Sequence, residues 1–114
     1  MALNSNQNGE ILEQVKDFSV ERFGDKLVSV ILYGSYARGD YEEDSDIDIM
    51  ILVDMDAITL SRYQTEFSHF GTGVDLRYDV LTSFFLQDKN TFDSWKNILP
   101  FYQNVIAEGV SAYG

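Results

Sequence analysis

Residues 46–53, with the sequence DIDIMILV, constrain the fold of this chain more than any other segment. The first half alternates aspartate with an apolar residue, and the second half is wholly apolar. Strict alternation is typical of a half-buried strand, and a short continuous apolar run is typical of a fully buried one. We therefore predict a central strand that enters its sheet from a polar edge.

The chain before this strand predicts a helix, a strand and a short helix. Residues 10–23 carry apolar side chains at roughly helical spacing, and Gly24 stands where a glycine would end that helix. Residues 26–33 are nearly continuously apolar and rich in β-branched side chains, which suits a buried strand. Gly34 ends that strand, and residues 35–38 predict the first turn of a short helix.

The chain after the central strand predicts one more strand among helices. Residues 54–69 have a helical pattern, and Gly-Thr-Gly at 71–73 predicts a turn. Residues 74–82 alternate between apolar and polar side chains, which predicts a third strand. A short helix over 91–99 and an apolar stripe from 100 to 109 follow. This order of helices and strands predicts an α/β fold class.

Length and composition limit the kind of protein. A chain of 114 residues predicts one domain over 1–114, with residues 1–9 as a polar, flexible lead-in. The absence of cysteine excludes thiolate zinc sites and thiol catalysis, and the single histidine excludes any site that needs two. No apolar run approaches the roughly 18 residues of a membrane span, and no apolar signal segment opens the chain. We therefore expect a cytoplasmic protein that does not bind a membrane.

The charge balance restricts the partners. Asp plus Glu number 19 against 8 Lys plus Arg, which gives a formal net charge of −11 at pH 7. Duplex nucleic acid is bound by basic surfaces, so an acidic chain of this kind is not expected to bind it. A cation, a basic protein or a nucleotide carried in with a metal fits the charge better.

Asp46 and Asp48 differ from the acidic residues 40–44, which predict a solvated loop. They stand two apart in a strand, so both side chains leave one face, with α-carbons roughly 6.5 Å apart. Two ionised carboxylates this close repel, and a nearby opposite charge must offset the repulsion. Arg38 is one candidate, and a hard divalent cation is a better one, since Mg²⁺ accepts carboxylate oxygens at about 2.1 Å. The alternative is a strand entry whose outer face is simply solvated.

Gly34 and Ser35 directly follow the first predicted strand. A glycine there allows a sharp turn and the close approach of a phosphate to the backbone amides. The start of a helix adds unpaired N–H groups, and Ser35 adds a hydroxyl donor. Alone, such a pair mostly marks a turn. Together with the two carboxylates it predicts donors for a phosphate and a metal platform for its charge.

A third carboxylate would complete a site in which an oxygen attacks phosphorus in line between metal ions. The third predicted strand offers Asp75 and Asp79, which share a face because they stand four residues apart. Asp79, expected in the middle of that strand, is favoured. Asp75, close to Gly73, is expected at a turn or in solvent. The choice between the two stays open.

The motif formed by these residues resembles a known family signature. GSYARG at 34–39 and SDID at 45–48 are similar to the G-S-x-A-R-G and S-D-x-D elements of the minimal nucleotidyltransferases, in the DNA polymerase beta-like nucleotidyltransferase superfamily. The ten residues between Ser35 and Asp46 match the family spacing. The resemblance covers about residues 26–82 well and the tail, 100–114, less specifically.

The resemblance implies a fold and a substrate. The expected nucleotidyltransferase fold is a small mixed β-sheet flanked by helices, and the expected substrate is a nucleoside triphosphate. Carried over by position, Gly34 and Ser35 would bind the triphosphate. Arg38 would contact either the phosphate or the acids.

The resemblance also implies a divalent metal, Mg²⁺ or Mn²⁺, and its ligands. Asp46 and Asp48 would be catalytic metal ligands. The third-strand aspartate, Asp79 or else Asp75, would be the remaining ligand. Such an acid can help to deprotonate the attacking hydroxyl.

The family finally implies a partner. Many minimal nucleotidyltransferases are encoded beside a small helical protein of the HEPN type, and some act as antitoxins by transferring AMP to a tyrosine of it. We therefore expect a stand-alone antitoxin that moves AMP from ATP to a hydroxyl of a HEPN-type partner. The aromatic residues of the C-terminal segment are expected in the core or at an interface rather than stacked on a ligand, and where exposed they would mark the partner surface: Phe92, Trp95, Phe101 and Tyr102.

Three other functions stay open. The chain could be a non-catalytic antitoxin that masks its partner by contact, a nucleotidyltransferase acting on a small molecule, or a Ca²⁺ or Mg²⁺ site without chemistry. An intact Gly-Ser and Asp-x-Asp motif favours an enzyme, because a masking surface does not need these side chains in register.

Overall fold

The computed structural model describes residues 5–42 and 45–114. Residues 1–4 of the predicted lead-in lie outside this range, as do Glu43 and Asp44 of the predicted acidic loop. The first elements are α1 Ser5–Phe23, a 3-10 turn Gly24–Lys26, β1 Leu27–Tyr33, α2 Ser35–Arg38 and β2 Ile47–Val53. They are followed by α3 Ala57–Ser61, α4 Gln64–Tyr78, β3 Thr82–Asp88, α5 Lys89–Trp95, α6 Pro100–Glu108 and β4 Val110–Tyr113.

The strands form one mixed sheet in the order β3-β2-β1-β4. β1 runs antiparallel to β2 and to β4, whereas β2 and β3 run parallel. Helices pack on both faces of the sheet. The predicted fold class, a small mixed sheet flanked by helices, is confirmed.

Two apolar clusters hold the helices to the sheet. On one face, α1, α3 and α4 pack against Ile47, Ile49 and Ile51 of β2. On the other face, α5 and α6 pack against Met50 and Leu52. Alternate residues of a strand point to opposite faces. Because both faces are covered by helices, every residue of β2 except Asp48 is buried. The prediction of a central strand that enters the sheet from a polar edge is confirmed, since β2 lies between β3 and β1 and its one polar side chain, Asp48, stands near its start.

The third strand lies later in the chain than the alternation of residues 74–82 predicts. α4 continues through the expected Gly-Thr-Gly turn to Tyr78, and β3 begins only at Thr82. The prediction was wrong because a four-residue interval fits both a strand and a helix. Val74 and Tyr78 stand on the packed side of α4, while Leu76 between them is 82% exposed.

Gly71 shows why the two glycines do not form a turn. It is buried within α4, where a Cβ would lie 2.7 Å from the Phe84 ring and 2.9 Å from Oγ1 of Thr82. The missing side chain therefore lets the helix approach β3 closely.

Other elements also differ from prediction: the helix expected over 54–69 is divided between α3 and the start of α4, and β4 was not predicted. α1 begins at Ser5 rather than at residue 10, so part of the predicted lead-in is helical. β2 begins at Ile47, which leaves Asp46 just before the strand. The helix expected over 91–99 ends at Trp95. Across residues 5–42 and 45–114, no helix combines the length and the apolar character that crossing a membrane requires.

Candidate active site

Asp46 and Asp48 stand at the entrance of β2. Asp48, the second residue of the strand, pairs with Tyr33 of β1 and with Ser83 of β3. Asp46 is exposed and Asp48 is half-buried. Burial, together with the charge of Asp46, raises the pKa of the Asp48 carboxyl. The two carboxylates therefore repel each other, as their spacing predicts.

Neither carboxylate is neutralised by the residues that the structure describes, since no hydrogen bond or ion pair there reaches Asp46 or Asp48. Arg38, the candidate counter-charge within the chain, donates instead to Asp40 at 3.2 Å and to Glu108 at 3.3 Å. It therefore does not offset the repulsion in this structure. Both of its ion pairs are exposed, so they add little stability and can be exchanged for another anion.

Gly34 lies directly against Asp48. Its φ of 75° and ψ of −156° belong to a region that is nearly exclusive to glycine. A Cβ at this position would stand 2.7 Å from Oδ2 of Asp48. The carbonyl of Gly34 accepts hydrogen bonds from the N–H groups of Ala37 and Arg38, both at 3.1 Å. The glycine thus turns the chain tightly out of β1 and leaves room for the carboxylate.

Ser35 follows as the first residue of α2 and is half-buried. Its hydroxyl has no hydrogen-bond partner in the described segments. The glycine of the Gly-Ser turn thus lies against one of the two carboxylates, Asp48, and the Ser35 hydroxyl remains available as a donor.

Asp75 and Asp79 do not lie on a strand, contrary to prediction. The carboxylate of Asp75, in the last turn of α4, accepts hydrogen bonds from the N–H of Thr82 at 2.8 Å and from its hydroxyl at 2.9 Å. Asp75 thereby anchors the start of β3. Asp79 ends α4 in the left-handed conformation, with φ of 55°, and is exposed. On β3 itself, Ser83 occupies the position beside Asp48.

No group of three or more His, Cys, Asp or Glu side chains that could hold a metal ion occurs among residues 5–42 and 45–114. These described residues therefore offer a pair of carboxylates, Asp46 and Asp48, rather than a cluster. Mg²⁺ often takes only one or two protein carboxylates and completes its shell with water and phosphate oxygens. Two unneutralised carboxylates beside a glycine turn fit a divalent ion of this kind. The role of Asp79 as a third ligand stays a prediction.

A cleft of about 220 Å³ borders the turn on the side of α6, for which the sequence predicts core or partner-surface aromatic residues rather than a ligand site. Tyr33 and Gly34 line one side, and Phe101, Asn104 and Glu108 of α6 line the other. Intervals of three and four residues place these α6 side chains on one face of the helix. That spacing is the signal in the sequence that indicates a shared surface.

A family comparison agrees with this geometry. The family model for the nucleotidyltransferase domain matches residues 12–102, a range that includes both the glycine turn and the carboxylate pair. The chain belongs to the nucleotidyltransferase domain family, and it is a nucleotide-transferring enzyme of that family. The family resemblance of the GSYARG and SDID motifs is confirmed.

Two relatives from Methanocaldococcus jannaschii match this chain over most of their own length. One candidate protein adenylyltransferase is 44% identical over 77 residues, which cover 65% of this chain and 76% of the relative. A second is 34% identical over 92 residues, which cover 81% of this chain and 84% of the relative.

Solved structures share the fold at low sequence identity. A crystal structure of a toxin–antitoxin complex with AMP-PNP matches with a TM-score of 0.54 and 24% identity, over 98% of this chain and 74% of that one. A mutant of the toxin–antitoxin complex MntA–HpeT matches with a TM-score of 0.51 and 20% identity, over 90% and 73%. At these identities the comparison shows a common fold.

Proposed function

We propose that this nucleotidyltransferase transfers AMP from ATP to a hydroxyl of a partner protein, as the antitoxin half of a toxin–antitoxin pair whose toxin is a small HEPN-type helical protein. The observation that carries the proposal is the unneutralised pair Asp46 and Asp48, of which Asp48 lies directly against the Gly34 turn. A surface that masks a partner by contact does not need two repelling carboxylates in this place. The geometry therefore favours catalysis.

The similar proteins support the transferred group and the acceptor. Both relatives from Methanocaldococcus jannaschii carry the name of a protein adenylyltransferase, which favours AMP as the group and a protein as the acceptor. The two solved complexes of this fold are toxin–antitoxin complexes, one of them with AMP-PNP. The net charge of −11 suits a basic protein partner better than a nucleic acid duplex.

Each site residue has a role in this scheme. Asp46 and Asp48 would hold Mg²⁺ or Mn²⁺, which would offset charge on the reacting phosphates and orient them. Gly34 and Ser35 would bind the triphosphate through the backbone of the turn and the free hydroxyl. Arg38 would exchange its two exposed carboxylate partners for a phosphate, since a guanidinium binds phosphate oxygens in the same forked geometry.

The reaction is a displacement at the α-phosphorus of ATP. The acceptor oxygen forms a bond to that phosphorus while the bond to the bridging oxygen breaks, and pyrophosphate leaves with the electron pair. The hydroxyl proton passes to a carboxylate of the site. The products are an AMP ester of the acceptor and pyrophosphate.

The experiment that tests the function is incubation with α-labelled ATP and Mg²⁺, with and without the protein encoded by the neighbouring open reading frame. We expect label on the partner and release of pyrophosphate only when enzyme, partner and metal are all present. A stable complex that never becomes labelled would support masking by contact instead. Transfer of the label to a small molecule other than ATP, with none on the partner, would support the small-molecule acceptor.

Divalent metal is expected to raise the melting temperature, and ATP is expected to raise it further only when metal is present. A ligand that binds the folded state alone stabilises it by mass action, by roughly 10 °C at about 100 times its dissociation constant for a domain of this size. Without metal, Asp46 and Asp48 repel the triphosphate. Differential scanning fluorimetry with and without EDTA measures this, and an equal ATP shift in EDTA would contradict the metal site.

Asp79→Asn is expected to lower transfer more than tenfold without changing the melting temperature. Asp79 stands two residues before Leu81, whose carbonyl accepts from the N–H of Ile47 at 2.8 Å, so its segment passes the same end of β2 as Asp46. Asparagine tolerates the left-handed conformation at this position, which keeps the backbone intact.

The matched control is Asp75→Ala. It removes both hydrogen bonds to Thr82, and we expect a loss of about 1–3 kcal/mol of stability but little loss of activity in the folded protein. Full activity of Asp79→Asn would show that Asp79 is not a third metal ligand and would leave Asp46 and Asp48 as the only two. Loss of activity only in the Asp75 variant would reverse the assignment.

A further inference from the structure

We infer that the cleft between the end of β1 and α6 binds the base of the nucleoside triphosphate, with Phe101 stacking on the ring and Asn104 reading its hydrogen-bonding edge. The inference rests on the proposed use of ATP at Gly34 and Asp48. It adds a specificity site on α6, a helix that contributes nothing to the phosphate and metal chemistry.

The position of the cleft follows from Gly34, which lines the cleft and also forms the turn against Asp48. A nucleotide whose phosphates lie at that turn therefore has the cleft within reach of its base. The volume of about 220 Å³ is below the roughly 300–1,000 Å³ of pockets that enclose whole drug-sized ligands. It suits one flat ring system rather than a complete nucleotide.

The charges of the cleft favour a neutral ring over a phosphate. Arg38 and Glu108 both line it and are ion-paired to each other at 3.3 Å. When Arg38 turns to a phosphate at the Gly34 turn, the carboxylate of Glu108 stays in the cleft and would repel a second phosphate placed there. The remaining wall is aromatic and aliphatic, with Tyr33, Phe101 and Val105.

Phe101 is an aromatic surface held in place at the mouth of the site. Its ring stands edge-on to Tyr33 at 5.5 Å between centroids and is stacked with Phe85 at 5.7 Å. It nevertheless stays 40% exposed, whereas Phe92 and Tyr102 on the same side of the sheet are buried. A ring that is oriented by its neighbours and still open to solvent is the surface on which a nucleobase stacks.

Asn104 supplies the polar recognition. It lies one helical turn after Phe101 and lines the same cleft. Its carboxamide is exposed and makes no hydrogen bond with any residue in the described ranges. An asparagine amide offers a donor and an acceptor together, which is the pattern that pairs with the edge of adenine. The chemistry at this position therefore favours adenine as the base.

The test compares binding of ATP with binding of inorganic triphosphate, both in the presence of Mn²⁺, by calorimetry. We expect Phe101→Ala to weaken ATP binding at least about tenfold and to leave triphosphate binding unchanged, because only the base is affected. Phe101→Tyr, which keeps an aromatic ring at this position, should bind ATP about as well as the wild type. Asn104→Ala should reduce the preference for ATP over CTP. The control is Ile106→Ala, which removes an exposed apolar side chain of α6 that does not line the cleft.

The outcomes separate this inference from the proposed function. If the wild type binds ATP and Phe101→Ala binds it equally well, the base site is wrong and the nucleotidyl transfer stands. If Phe101→Ala weakens ATP and triphosphate alike, Phe101 supports the phosphate site and the base assignment is also wrong. If the wild type binds neither compound with metal, both the proposed function and the base site are overturned.

Discussion

Asp48→Asn and Asp46→Asn are each expected to lower nucleotidyl transfer by about 10³-fold or more while the fold persists. Each variant removes one of the two carboxylates that would hold the metal, and a 10³-fold loss corresponds to about 4 kcal/mol of transition-state stabilisation. Asparagine keeps the size of the side chain, so β2 and its pairing with Tyr33 and Ser83 are retained. Steady-state transfer from labelled ATP measures the loss.

The effect of Asp48→Asn on stability is expected to be opposite in sign to its effect on activity. Burial and the charge of Asp46 raise the pKa of Asp48 in the folded protein above its value in the unfolded chain. The ionised carboxylate is therefore unfavourable in the metal-free fold, and the wild type gains stability as the pH falls through that raised pKa. At neutral pH without metal, the melting temperature of Asp48→Asn should equal or exceed that of the wild type.

The control for both aspartates is Asp54→Asn, because Asp54 stands at the opposite end of β2 and carries the same charge change. It should keep its activity and its response to metal. Near wild-type turnover by Asp46→Asn or Asp48→Asn, with Mg²⁺ and ATP, would refute the metal platform.

Gly34→Ala is expected to lower transfer about 10²-fold and the melting temperature by roughly 5–15 °C. The backbone conformation at Gly34 costs a residue with a side chain about 1–3 kcal/mol, which accounts for the loss of stability. The new Cβ would stand 2.7 Å from Oδ2 of Asp48. The carboxylate must move to relieve that contact, and a shift of a reacting group by about 1 Å can cost 10²-fold in rate.

Gly39→Ala separates the two effects. Gly39 has a positive φ of 82°, but nothing lies within 4 Å of a Cβ built on it. This variant should lose stability through its backbone and retain most of its activity. If Gly34→Ala retained full activity at a lowered melting temperature, the close contact between Gly34 and Asp48 would have no catalytic significance.

The sequence predicts the fold correctly where the pattern of a segment favours one type of secondary structure over the others. The residues of β1 and β2 form short, nearly continuous apolar runs rich in β-branched side chains, which favours a strand over a helix, and both strands were predicted within one residue of their observed ends. The turn and the carboxylate pair lie within 15 residues of each other, from Gly34 to Asp48. Because one hairpin-like connection joins them, their proximity follows from the pairing of adjacent strands.

The segment from α4 to β3 was mispredicted because its sequence fits two structures. Val74 and Tyr78 agree with an alternating strand and with a helical stripe, and the chain between Gly71 and Gly73 agrees with a turn. Packing decided the outcome, since α4 buries Val74 against the sheet and places Gly71 against Phe84. The misplaced strand also misplaced Asp75 and Asp79, so the third carboxylate could not be located from the alternation.

The amino-acid sequence by itself determined the central strand, the Gly34 turn, the carboxylates Asp46 and Asp48, and through their spacing the family. These features depend on neighbours along the chain, and local sterics and burial specify them. The tertiary structure alone decided that Arg38 pairs with Glu108, 70 residues away, rather than with the carboxylates. It alone brought Phe101 and Asn104 to the cleft beside Gly34. Such contacts join distant segments, and they form only because the two faces of one sheet must each be covered by a different set of helices.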